Sequence, residues 1–274
     1  MPYIFFNRMN LKLLLWLSLI ALLAGCSVSK KTSATTNPQK DCQIVDAANE
    51  CLIKKVSDQQ SRTYARFYYD RLNNLISFAD SQFDTAFVSY NQSSCLAEKI
   101  KFHSLDHNES YVKLAYNEKE QLISVSNYDL LTGNQLISIR QFNYLANGRL
   151  DYDVITDVET RDTVRNEYQY ENENINRILC YDLIRGKKVL TASYVYEYDN
   201  FNNPYFHKRM PRRGRNFIEE PVYTLSKNNI ISREKTKPDG QSTFFEKQYE
   251  YNEYGYPIQE IVGTTTFTYE YYCL

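Results

Sequence analysis

Three groups of residues in the 274-residue chain have types and spacings that could do chemistry. His103, Asp106 and His107 form a His-x-x-Asp-His run, which on a helix would set two imidazoles on one face as metal ligands. The run falls at a strand-to-turn junction, however, and no third ligand stands near it, so it reads as a solvated loop and no metal is expected. His207 to Arg215 is the one basic run, and its Lys208, Arg209, Arg212, Arg213 and Arg215 are candidate contacts for lipid or lipopolysaccharide phosphates or for an anionic glycan. The plainer reading is an exposed loop whose charges are solvated. Asp151, Asp153, Asp157, Glu159 and Asp162 are the densest acids, and alternation along a strand makes them the wet face of a sheet. A serine elbow, a glycine-rich phosphate loop, a Cys/His pair and a Cys-x-x-Cys are all missing from the sequence. The expectation is a protein that is not an enzyme, with no catalytic residues and no cofactor.

The elements that would position these groups repeat. An aromatic, any residue, a tyrosine, then Asp or Asn and a turn recur with anchors at Tyr69, Tyr90, Tyr116, Tyr144, Tyr170, Tyr198, Tyr251 and Tyr271, at intervals of 26 or 28 residues between Tyr90 and Tyr198. Val222 to Ile231 reads as a degenerate copy filling the wider gap after Tyr198, with Leu225 in the tyrosine's place. A fixed period of this size marks a repeat architecture. Each unit alternates strand and turn: Leu136 to Tyr144 has a period of two, Asn147-Gly148 bends the chain, and Leu150 to Thr156 resumes. An Asp or Asn opens most turns because its side chain caps the backbone two residues on. Strands joined so closely are antiparallel neighbours. The fold class expected is therefore all-β: a meander of repeated hairpins over residues 61–274, forming one long twisted, curved sheet, open or incompletely closed. With 25 Tyr and 14 Phe against 8 Gly, composition agrees. The tyrosines could form a ligand platform, but rings recurring with the structural period read better as rungs that hold the units together.

Residues 1–25 have the anatomy of a secretory signal peptide: Arg8 and Lys12, then an apolar run from Leu13 to Leu23 that is short for a bilayer. Its end, Leu23-Ala24-Gly25-Cys26, resembles the lipobox of bacterial lipoproteins. That resemblance implies cleavage before Cys26 and a lipid on its thiol, so the expected partner is the membrane, reached through an N-terminal lipid. Residues 26–40 are polar and read as a flexible tether. In residues 41–60, Ile44, Val45, Ala48, Leu52 and Val56 fall at helical spacing and predict a short helix. With Cys26 set aside, five cysteines remain in an oxidising compartment, so one is free or paired between chains. Cys42 and Cys51 are a candidate local disulfide, and Cys180 pairs with Cys273 only if strands bring them together.

Tyr196-Glu-Tyr-Asp-Asn-Phe-Asn-Asn203 and Tyr249-Glu-Tyr-Asn-Glu-Tyr-Gly255 resemble the YD repeats of RHS proteins. More closely, Tyr196 to Leu274 is similar to the C-terminal half of uncharacterised Bacteroidetes-type lipoproteins with YD-like repeats. The RHS shell function is not carried over, because the repeats are too few. The resemblance implies a lipid-anchored outer-membrane protein. Acidic residues are absent just after Cys26, which favours the periplasmic face and leaves surface exposure open. The expected role is structural or interactive. The alternative is a lipoprotein that holds a glycan or lipid on the aromatic face or in the trough of its sheet. An envelope glycan, a lipid or another envelope protein are the expected partners, and the near-neutral charge of −1 argues against nucleic acid.

Overall fold

A computed structural model of the chain describes residues 51–71, 73–80, 85–103, 109–206 and 221–273. The strands are β1 (Cys51–Ser57), β2 (Thr63–Tyr69), β3 (Leu75–Asp80), β4 (Thr85–Tyr90), β5 (Ala97–His103), β6 (Ser110–Tyr116), β7 (Leu122–Asp129) and β8 (Gln135–Tyr144). They continue as β9 (Leu150–Asp157), β10 (Thr163–Glu171), β11 (Asn174–Ile184), β12 (Lys187–Asn202), β13 (Asn228–Thr236), β14 (Ser242–Tyr251), β15 (Pro257–Val262) and β16 (Thr265–Cys273), with a one-turn helix α1 (Val222–Leu225) before β13. Each strand pairs with the next, and β16 returns to pair antiparallel with β1, so the sheet is a closed barrel of 16 strands.

Closure corrects the expected open or incompletely closed sheet, and its cause lies in the segment read as a helix. Leu52 and Val56 belong to β1, which supplies the closing partner: Ile53 stands opposite Tyr271 and Val56 opposite Tyr269. Pairing the first strand with the last removes both free edges, which would otherwise recruit other chains. The seam is also covalent, because Cys51 is bonded to Cys273 across it. Cys51 is therefore not the partner of Cys42, and Cys180 is a free thiol rather than the partner of Cys273. Cys95 is disulfide-bonded as well.

The eight anchor tyrosines fall one to each even-numbered strand, near its end. They bind that end of the barrel together: Tyr69 donates its hydroxyl to the Ile53 carbonyl at 2.8 Å, Tyr90 to Leu75 at 2.9 Å, Tyr144 to Leu122 at 2.8 Å and Tyr271 to Pro257 at 2.6 Å. In each case a phenol at the end of one strand reaches a carbonyl in the strand before it. Turns at the same end have the expected Asx geometry. Asp70 accepts from the Asn74 amide, Asn117 from Lys119 and Gln121, and Asn252 from Tyr254 and Tyr256. Gly148, at φ +85°, takes the left-handed position of its turn.

One unit departs from the pattern. After β12 the chain leaves the wall and returns at Asn228, and Leu225 sits in α1 rather than in a strand. The supposed degenerate copy is thus an insertion, and β13 and β14 are the ordinary next pair.

Inward residues fill the barrel. Phe67 stacks on Phe78, and Phe78 meets Phe102 edge-on; with Ile53, Ile100 and Val125 they form one buried cluster that continues into Tyr168, Tyr196 and Tyr269. Each such side chain contributes roughly 1.5–3 kcal/mol by its burial. Outward positions include Arg66 on β2, Lys113 on β6, Gln169 on β10, Glu197 on β12, Glu234 on β13, and Glu246, Gln248 and Glu250 on β14, all exposed, alongside the exposed apolar Tyr68, Phe87, Val195 and Phe244. A barrel that spans a membrane carries the reverse pattern, apolar outside and polar within.

Candidate functional site

Two places in the barrel bring chemistry-bearing residues together. The first is the tyrosine end. Residues 203–206 and 221–227 pack over it, with Tyr205 and Val222 buried. Asn203 donates to the Tyr223 and Ser226 carbonyls, and the Ser226 hydroxyl lies 3.0 Å from the Tyr198 hydroxyl. The cavity left there, lined by residues such as Tyr205, Tyr223, Tyr249 and Tyr269, measures about 10 Å³, room for about one water. Burial raises the phenols of Tyr69, Tyr198 and Tyr271, and it pushes Tyr144 up to about 12. These hydroxyls stay neutral and bonded to the backbone, so the rungs are structural. Asp199, expected as a turn-former, does accept from the Phe201 amide. It also accepts from the Asn229 amide and the Tyr251 hydroxyl, tying the inserted segment's neighbours to β14.

The second place is the interior of the wall from β8 to β16, where two cation–acid–tyrosine triads are buried. Arg140 donates from Nη2 to Asp153 Oδ2 at 2.7 Å and to the Tyr168 hydroxyl at 3.2 Å. Tyr168 also donates to Asp153, and Asn166 donates to its other oxygen at 3.0 Å. Lys247 donates to Glu260 Oε1, and Tyr269 to Glu260 Oε2. The two triads are one repeat position used twice. Arg140 and Lys247 each stand four residues before an anchor, Tyr144 and Tyr251, and Tyr168 and Tyr269 each stand two before theirs, Tyr170 and Tyr271. Burial works against the Arg140 charge, but Asp153 and Tyr168 outweigh it and hold the guanidinium protonated. Tyr168 is raised well above the ordinary phenol value, chiefly by burial.

Above these triads, away from the tyrosine end, the inward face becomes half-exposed: Val164, Cys180, Tyr194, Arg233, Lys235 and Phe245. Lys235 Nζ lies 5.4 Å from the Tyr194 ring centre, and Arg233 lies 5.9 Å from Tyr194 and 5.4 Å from Phe245. Burial, with Asp153 nearby, pushes the Cys180 thiol up to about 12, against the pull of Lys235 and Arg140. It is therefore a poor nucleophile.

In fold the chain is similar to two solved structures described as porin-like proteins. One, from Bacteroides vulgatus ATCC 8482, aligns with a TM-score of 0.51 at 11% identity, covering 81% of this chain and 99% of that one. The other, from Bacteroides uniformis ATCC 8492, has a TM-score of 0.51 at 12% identity, covering 80% and 96%. A toxin complex, TcdB2-TccC3-Cdc42, aligns at 0.33, too low to bear on the fold. No family model and no curated protein matches the chain. At such identities the likeness concerns the barrel alone.

Of the residues singled out in the sequence, Cys26, Cys42, Asp106, His107 and the basic Lys208, Arg209, Arg212, Arg213 and Arg215 lie outside the described residues, as do the leader and tether. His103 is on the outer face of β5, with Nδ1 3.0 Å from Glu109 Oε1 and its ring against Phe87. Asp153, read as part of a wet face, is instead fully buried. The missed signal was positional: a cation four residues before an anchor tyrosine, followed by an acid three residues into the next strand.

Proposed function

We propose that the protein is a lipid-anchored component of the cell envelope, at the periplasmic face of the outer membrane, whose barrel stands in water as a structural or interaction module without catalysis. The observation that carries this reading is the distribution of side chains in the wall. Charged residues stand on the outer face of most of the wall among some exposed apolar ones, aromatics fill the inside, and an inserted segment packs over one end. Such a wall exposed to lipid would place Arg66, Lys113, Glu234 and Glu246 in hydrocarbon, where an Arg or Lys at mid-depth costs about 2–4 kcal/mol. Water suits it better. Attachment then falls to the lipid that the Leu23-Ala24-Gly25-Cys26 run predicts on Cys26. A glycan or lipid held on the anchor tyrosines is disfavoured, because the hydroxyls of Tyr69, Tyr90, Tyr144, Tyr198 and Tyr271 are spent on the backbone and that of Tyr251 on Asp199.

The lipid is tested by metabolic labelling. Cells expressing the protein should incorporate radiolabelled palmitate into it, and Cys26→Ser should abolish that incorporation and move the protein out of the detergent phase on Triton X-114 partitioning. Labelling that survives the substitution would defeat the anchor.

A further inference from the structure

The wall is not of even height. Strands β2 to β6 have 6 or 7 residues, whereas β10 to β14 have 9 to 16. Down the tall side the inward residues pass from half-exposed to buried: Tyr194 then Tyr196, and Phe245 then Lys247. The tall wall therefore presents a concave inner surface to solvent above a packed floor.

That surface is cationic and aromatic. Lys235 and Arg233 point inward against the faces of Tyr194 and Phe245. Among the described residues Lys235 has the Tyr194 ring as its neighbour and no carboxylate within ion-pair distance. At the floor, Arg140 is only 3% exposed, and its Nε and Nη1 have no hydrogen-bond partner among the described residues. Donors left so in a protein interior are rare and costly, about 1–3 kcal/mol each. Asp153, which holds Arg140, stands opposite Asn166, Asn166 stands opposite Cys180, and Tyr194 stands opposite Lys235, so the buried guanidinium and the wall ammonium lie along one stretch of the inner face. Asp153 is held by Arg140, Tyr168 and Asn166.

We propose that this concave face, from Arg140 through Cys180 to Lys235, Arg233, Tyr194 and Phe245, is a binding site for a small carboxylate or phosphate carried on an apolar or aromatic body. The anion answers the unpartnered donors and the wall cations, where charge-assisted hydrogen bonds are the strong ones. Tyr194, Phe245 and the exposed Val189 cover the ligand's body, as apolar walls with few polar groups do in small-molecule sites. The proposal does not depend on the lipid anchor.

The test titrates the full chain in nonionic micelles with four water-soluble probes, read by calorimetry: benzoate, phenyl phosphate, benzyl alcohol and benzylamine. Benzoate or phenyl phosphate should bind at least about tenfold more tightly than the alcohol or the amine, and whichever anion binds better identifies the head group. Lys235→Met keeps the aliphatic stem against Tyr194 and should weaken that anion about tenfold. Lys235→Glu should abolish binding. Glu234→Gln, on the outer side of the same strand, should leave it unchanged. Matched thermal melts separate loss of the site from loss of the fold. The proposal is overturned if neither anion binds, if benzyl alcohol binds as well as the anions, or if Lys235→Met folds as the parent does and binds unchanged.

Discussion

Replacing Cys51 and Cys273 together by serine is expected to lower the stability of the barrel by about 5 kcal/mol. The two cysteines are 222 residues apart and join the first strand to the last. Cross-linking so long a loop removes a large part of the unfolded chain's freedom, and the chain-entropy relation gives about 5 kcal/mol for a loop of this length. The same bond secures the one non-local pairing in an otherwise sequential meander. Every other strand pair is neighbouring in sequence, whereas β1 and β16 must find each other across the whole domain. Denaturant unfolding under non-reducing conditions measures the effect. A shift below about 1 kcal/mol would mean that the β1–β16 ladder, with Ile53 opposite Tyr271 and Val56 opposite Tyr269, closes the barrel unaided.

The second large effect belongs to the triads. Asp153→Ala is expected to cost about 3–5 kcal/mol, because it leaves the Arg140 charge buried without its partner. Glu260→Ala should cost a similar amount through Lys247, which like Glu260 is almost fully buried. Removing both partners behaves differently. Lys247→Met combined with Glu260→Leu exchanges a desolvated ion pair for apolar volume and should cost no more than about 1–3 kcal/mol, which follows from taking the Glu260 acceptor from the buried Tyr269 hydroxyl. The contrast between single and double replacement, read by thermal or urea unfolding, distinguishes a buried ion pair from a mere packing site. Packing sites would lose stability in both.

Much of this architecture is legible before any coordinates. Each of the eight anchor tyrosines maps to one even-numbered strand, and the Asx turns at Asp70, Asn117 and Asn252 form where the sequence places them. Closure is not legible, because it depends on seven residues, Cys51–Ser57, whose apolar members also fit a helical spacing. The buried acids are hidden for a local reason. Tyr144 pairs with Leu150, yet Asn143 pairs with Tyr152, so Asp151 is the extra residue of a bulge. Counting by twos from Leu150 sends Asp153 outward, whereas the bulge turns it in. The same irregularity after Pro257 directs Glu260 inward. A bulge inserts one residue and reverses every side chain beyond it. Leu225 misleads in the opposite sense, since the spacing of Tyr198 and Tyr251 suits a further copy as well as it suits an insertion.

The central claim is that a fold similar to porin-like proteins is used here with its wall facing water. The most direct measurement takes the protein without its first 26 residues into detergent-free buffer, for size-exclusion chromatography with light scattering and for planar-bilayer recording. The account predicts a monodisperse, β-rich species in plain buffer that opens no channels. A protein that stays dispersed only in detergent and gives stable unitary conductance in the bilayer would contradict it.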